Sequence, residues 1–463
     1  MKINYRSALN KNTGFSFNSG MLIRIKFAGS WQFVIYSAFF FLSSCSVSNK
    51  IGKHANAIVI KDSIISTGHA GICIYEPATD KYWYNYNATK FFVPASNTKL
   101  FSLYAGMKYL DDSLIGLRYQ QTDTGLIIYP TGDPTFLHPD FKQQRVFDFL
   151  KNKNNISYSS SHFADGLGAG WAWDDYMDDY MVQRSEFPIY GNLVTVSNND
   201  GMLGIVPKII PLHIQKGEKN KKDVDSMTTG WVFSRKWDSN DIKATMASGS
   251  AAKRQYQLPY IPNDIPGFLS DTLRQKIYSI EGEPKDGKLS KLYSQPADSL
   301  FKPMMYNSDN FFAEQTLLMA SNEHLGYMND EDMIDTLLKT DLKDIPQKPN
   351  WVDGSGLSRY NLFSPESMVY IIQKMQSEFG VERLKGILPT GGMGTIKNYY
   401  KKDSGFIYAK TGSLSNVIAF SGFLYTKKNK LLIFSVLVNE FQGSATKVRR
   451  AVEIFLEDLR EEY

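Results

Sequence analysis

Cysteine is almost missing. Two occur in 463 residues, Cys45 and Cys73, and Cys45 closes an N-terminal apolar stretch, so no internal disulfide is expected to hold this chain together. Cys73, in "AGICIYEP", alternates with apolar residues and reads as a buried strand thiol rather than a reactive one. Histidine is scarce too. The six, at positions 54, 69, 138, 162, 213 and 324, stand beside none of the chain's candidate catalytic motifs, and no His-Glu-x-x-His occurs, so neither a Ser-His-Asp triad nor a zinc peptidase is supported. No cofactor or metal is expected. Excess charge of one sign is lacking as well: Lys2, Arg6, Lys11, Arg24 and Lys26 account for the whole net charge of +5. The remainder is neutral, which leaves no basic footprint for nucleic acid.

No apolar run reaches the roughly 20 residues that cross a bilayer. Arg24 and Lys26 precede the run Trp31–Leu42, and "LSSC" closes it, the build of a secretory signal. Small residues leading directly into cysteine resemble the bacterial lipoprotein cleavage box, in which the cysteine becomes the lipidated first residue. The chain is therefore expected to be exported to the periplasm or cell envelope and anchored to a membrane through Cys45. Met21 is an alternative start to Met1.

Three regions succeed the leader of residues 1–45. In 46–117, alternating runs Gly71–Tyr75 and Tyr82–Tyr86 flank "PATD" and predict a hairpin. A helical period then begins at Pro94, with Leu100, Leu103, Tyr104, Met107 and Leu110 on one face. Residues 118–295 carry short strand-like runs between Asn, Asp, Gly and Ser punctuators, and predict a β-rich insertion; "KGEKNKKDVDS" within it is a charged surface loop. In 296–463 helices and strands return, and the last helix carries an apolar stripe from Val448 to Leu459. The fold class is α/β (α+β), an antiparallel sheet with helices, interrupted by that insertion.

Chemistry enters at "PASNTKL", where Ser96 and Lys99 lie one helical turn apart. Ser-x-x-Lys alone is weak, since it recurs at Ser250, Ser299 and Ser444. Ser444 with Lys447 reads as a helix cap and a surface cation. Ser96 differs in its downstream partners: "SDN" with Ser308 and Asn310, then "AKTGSLSN", which holds the chain's single Lys-(Ser/Thr)-Gly.

These three motifs in this order resemble the signature of penicillin-binding proteins and serine β-lactamases. "GDPT" at 132, "GWAWDD" at 170, "DGSGLSR" at 353 and "LPTGGMGT" at 388 are similar, more narrowly, to blocks of the class C low-molecular-mass penicillin-binding proteins, the D-Ala-D-Ala carboxypeptidase/endopeptidase family. The resemblance runs from about residue 70 to the end. It implies a penicillin-recognising domain split between its first two motifs, peptidoglycan peptides ending in D-Ala-D-Ala as substrate, and β-lactams as inhibitors.

Amide cleavage needs a nucleophile, a base, oxyanion donors and an acid for the leaving amine. Without histidine, lysine must be the base, and an amine near its usual pKa of about 10.4 is charged at neutrality. Burial and the neighbouring cation of Lys410 are expected to discharge Lys99 so that it accepts the Ser96 proton. Ser308 would relay that proton to the departing nitrogen, and Asn310 would hold the substrate amide and Lys99. Thr411, Gly412 and Ser413, with Lys410, would bind the terminal carboxylate, and the backbone N–H groups of Ser96 and Ser413 would form the oxyanion hole. Arg359 resembles a family position near the substrate side chain, with a structural ion pair as the competing reading. Asp174 and Asp175 would face a cationic group of the stem peptide. A serine β-lactamase and a non-catalytic cell-wall binding protein are the alternatives.

Overall fold

The hairpin expected at the start of the chain forms as β1 (His69–Glu76) and β2 (Lys81–Tyr86), in a computed structural model that describes residues 47–160, 163–199, 202–215, 230–246, 254–281 and 289–463. The leader and Cys45, His162, Ser250 and the charged loop at 216–226 lie outside the described residues.

Three further strands complete a wholly antiparallel sheet: β3 (Ile407–Leu414), β4 (Val417–Tyr425) and β5 (Leu431–Asn439), in the order β3-β4-β5-β1-β2. β4 and β5 are buried along nearly their whole length, which is why "VIAFSGFLY" and "LLIFSVLVN" read as near-continuous apolar runs. β3 is an edge strand, so its outer rim stays open to other groups. Cys73 is fully buried within β1, and burial pushes its thiol well above its usual range.

Four helices position the site. In α1 (Lys99–Tyr109), no side chain caps the start; a single 3-10 turn, Ala95–Thr98, leads straight into it. α2 (Asn310–Leu325) is capped by Asp309, whose carboxylate accepts from Phe312 N–H at 2.8 Å. α3 (Pro365–Phe379) is capped by Ser364 with Pro365 at its first position, as helix starts favour. α4 (Ala445–Glu462) begins after Ser444, which holds the cap position without a side-chain bond. α3 packs on β1, β4 and β5, and α4 on β4, covering the sheet with the stripe read from the sequence.

Between α1 and α2 the chain builds a second five-stranded sheet, and the strand that leaves α1, Ser113–Gln121, pairs antiparallel with the returning strand Ser290–Pro296. Two of its pairings are parallel, Leu126–Tyr129 and Tyr278–Ile280 each with Ile156–Ser159. Two three-stranded sheets and the helices Arg145–Leu150 and Ile265–Leu273 also lie in this stretch. A separate apolar core, from Leu117 to Ile277, serves these elements alone, while the larger core gathers around α1, α2 and α3. Residues Lys50–Tyr463 nevertheless form one compact unit.

Candidate active site

Ser96 is no helix cap. Its hydroxyl lies 2.9 Å from the Lys99 amine, which also reaches Asn310 Oδ1 at 2.6 Å and the Ser355 carbonyl at 2.7 Å. The last two partners can only accept. A neutral amine has two N–H donors and one lone pair, so once its donors serve Asn310 and Ser355, the lone pair is left for the Ser96 hydroxyl. Geometry therefore turns that lone pair toward Ser96. Lys99 is fully buried, and burial brings its pKa down to about 8 against the opposing pull of Asp353, Asp309 and Glu314.

Of the two expected causes, burial is the one that lowers the Lys99 pKa. Lys410 is itself fully buried, and burial together with the charge of Lys99 drives it well below the usual lysine range. Two amines in one dry cleft disfavour each other's charge. Lys410 donates to Ser308 Oγ and to the Thr411 carbonyl, both at 2.7 Å.

The three motifs meet in one cleft. Asn97 Nδ2 donates to the Lys410 carbonyl at 2.9 Å, tying the first motif to β3. A Cβ on Gly412 would stand 2.6 Å from the Pro94 carbonyl, so only glycine lets β3 approach the Ser96 turn this closely. Within "SDN" each residue has its own partner: Ser308 meets Lys410, Asp309 caps α2, and Asn310 meets Lys99. Ala95 (φ 45°) and Ser308 (φ 59°) are both left-handed, a conformation that costs a non-glycine residue about 1–2 kcal/mol. Such strain gathers where surrounding contacts over-determine the backbone.

The "DGSGLSR" block supplies one of the Lys99 partners. Asp353 is buried, and its carboxylate accepts from Gly356 N–H, Ser358 N–H and Asn361 Nδ2, each at 2.7 Å. That turn presents the Ser355 carbonyl to Lys99. Its other side is held by Glu314 of α2, which accepts from Ser355 N–H at 2.7 Å. Glu314 faces Arg184 at 3.4 Å, and Arg184 in turn pairs with Asp330 at 2.5 Å. Burial, then Asp353, raises Glu314 to about 7 although Arg184 opposes.

The stretch between α1 and α2 touches this centre repeatedly. Trp171 of "GWAWDD" donates to Asp353 at 3.0 Å, and the Tyr180 carbonyl accepts from Asn310 Nδ2 at 2.8 Å. The "GDPT" turn is tied to α2 through Gln315, which donates to the Gly132 carbonyl at 2.7 Å. "LPTGGMGT" delivers Thr395, whose hydroxyl accepts from Thr411 Oγ1 at 2.8 Å.

Other expected residues sit at the rim. Arg359 is exposed and donates to the Ser415 carbonyl at 3.0 Å, with no carboxylate partner among the described residues. Asp174 is exposed and Asp175 lies in the same turn, Trp173–Asp175. Ser413 is exposed at the strand edge, and its hydroxyl accepts from Arg449 of α4 at 3.0 Å. Sequence reasoning missed Ser355, Glu314, Arg184, Thr395 and Arg449; of these only Ser355 and Thr395 stand inside blocks that carry the family resemblance. Among the described residues no group of three or more His, Cys, Asp or Glu side chains stands close enough to hold a metal ion.

Known proteins are similar to this chain. A D-alanyl-D-alanine carboxypeptidase DacB from Haemophilus influenzae is 24% identical over 79% of this chain and 85% of its own length. A D-alanyl-D-alanine carboxypeptidase from an Actinomadura species is 22% identical over 84% and 80% respectively. The crystal structure of penicillin-binding protein 4 from H. influenzae superposes with a TM-score of 0.68 at 20% identity, covering 89% of this chain and 99% of that one, which establishes the shared fold. The model of the D-Ala-D-Ala carboxypeptidase 3 (S13) family matches residues 54–459, and the chain belongs to that family of serine peptidases.

Proposed function

We propose that Ser96 is the acyl-enzyme nucleophile of a D-Ala-D-Ala carboxypeptidase, acting on peptidoglycan stem peptides with DD-endopeptidase action on the same bond type. The observation that carries this is the pair of acceptor-only groups on Lys99, Asn310 Oδ1 and the Ser355 carbonyl, which leaves its lone pair for Ser96.

The Ser96 proton passes to Lys99 as Oγ attacks the penultimate D-alanine carbonyl. The oxyanion is held by the backbone N–H groups of Ser96 and Ser413. Ser308, bonded to Lys410, relays that proton from Lys99 to the departing nitrogen, the C–N bond breaks, D-alanine leaves, and Lys99 is neutral again. Water then attacks the ester, regenerating Ser96 and the shortened peptide. Asn310 holds the substrate amide, while Thr411, Gly412 and Ser413 line the place of the terminal carboxylate. A β-lactam would acylate Ser96 in the same way and leave slowly. Arg359, Asp174 and Asp175 form the outer rim, the two acids facing a cationic side chain of the stem peptide. Comparing peptides with cationic and neutral third residues tests that assignment.

The peptidase domain is assigned to 46–117 and 296–463, with 118–295 as its insertion. Export to the cell envelope with a lipid on Cys45 completes the reading; the mass of the mature N-terminal peptide tests it.

The decisive experiment combines two readouts. Free D-alanine should appear from a D-Ala-D-Ala peptide, and penicillin should form a covalent adduct that Ser96→Ala abolishes. Adduct on the variant refutes the nucleophile. Fast turnover of penicillin would instead make the protein a β-lactamase, and no D-alanine with no adduct would make it a binding protein.

A further inference from the structure

The Lys410 amine already serves Ser308 Oγ and the Thr411 carbonyl, so beside it a substrate carboxylate meets the hydroxyls of Thr411 and Ser413. A carboxylate leaving bulk water for such a cleft needs a charged partner or a dense set of donors. One cation stands at the right place. β3 alternates its side chains: Lys410 and Gly412 face the Ser96 turn, while Thr411 and Ser413 project to the other side. There α4 brings Arg449, whose guanidinium donates to Ser413 Oγ at 3.0 Å.

Three features mark Arg449 as poised for a ligand rather than for stability. It has no carboxylate within ion-pair distance among the described residues, whereas its neighbour Arg450 pairs with Glu453. It lies in the first turns of α4, the end at which the helix dipole disfavours a cation. It also lines a small depression, partly open to solvent, together with Thr395, Thr411 and Ser413 and the apolar Ile418 and Val452. The fork of a guanidinium matches a carboxylate with two parallel bonds.

We propose that Arg449 is a substrate-binding residue that supplies the positive charge for the α-carboxylate of the leaving amino acid, clamping it against Thr411 and Ser413. This rests on the peptidase reading. Its consequence is selectivity: the site favours a leaving residue with a free α-carboxylate over one in which that group is amidated or esterified.

The test compares an N-acyl-D-Ala-D-Ala peptide with its C-terminal amide, using the full chain, Arg449→Gln and Arg449→Lys. Arg449→Gln should lower kcat/KM for the acid by roughly 10- to 100-fold, mainly through KM, and leave the amide nearly unchanged. Arg449→Lys should recover part of the loss. Acylation of Ser96 by a penicillin and by its methyl ester gives the same comparison without turnover. Equal losses for the acid and its neutral counterpart, or no loss for the acid, would overturn the proposal. D-Alanine release and the adduct on the unaltered protein judge the peptidase reading separately, because only the acid-to-neutral ratio bears on Arg449.

Discussion

Ser355 presents its backbone carbonyl to the Lys99 amine at 2.7 Å, while its own N–H is held by Glu314 at the same distance. One peptide segment thus links Lys99 to the buried Glu314 on the next helix. Neither Ser355 nor Glu314 is a residue of the three motifs.

As the proposed base, Lys99 must be neutral to work, and burial sets it at about 8. Acylation of Ser96 by a penicillin should accordingly rise with pH and level off above about 8, as the ammonium loses its proton. Labelling rates measured between pH 6 and about 9.5 check this. A profile flat across that window would mean that Lys99 is already neutral or is not the base.

Glu314 gives the opposite sign in stability. Its folded-state value of about 7 lies above the ordinary 4.5, so the protonated carboxyl favours the fold. That contribution is complete below about 4.5 and is lost as pH rises through 7. Glu314→Gln keeps an acceptor for Ser355 N–H and cannot ionise, so its stability relative to the parent should improve by roughly 1–3 kcal/mol between pH 5 and 8. Paired denaturant titrations at the two pH values measure the difference. A constant gap would show that Glu314 is ionised throughout.

Gly356 occupies φ 85°, and a Cβ there would drive into the Ala95 carbonyl. Gly356→Ala should cost more than about 1 kcal/mol and slow acylation, because the turn it displaces aims both Ser96 and Ser355. Thermal melting and adduct formation are the two measurements; an unchanged rate at a lowered melting point would confine the glycine to a structural role.

Much of this centre is readable in the chain because side-chain chemistry leaves marks. Ser96, Lys99, Ser308, Asn310 and Lys410 are spaced letters in an order that accident seldom produces, and α4 shows its apolar stripe. The Ser355 carbonyl leaves no such mark, since every residue has one and only the turn around Asp353 singles it out. Arg184 and Glu314 escaped for another reason: their pairing joins positions far apart in sequence, and no periodicity connects them. Arg449 hid in a helix whose opposite face explained it well enough. Which of the two lysines is the more depressed depends on burial depth and on three carboxylates around Lys99, quantities that only a folded chain possesses.

Trp171, Tyr180 and Arg184 all come from the stretch between α1 and α2, and each grips a different part of the centre: Asp353, Asn310 and Glu314. A shortened protein stitched from the two flanking pieces would retain every signature letter and still lack the clamps that hold the lysine on target. Excision is therefore not a route to a minimal enzyme.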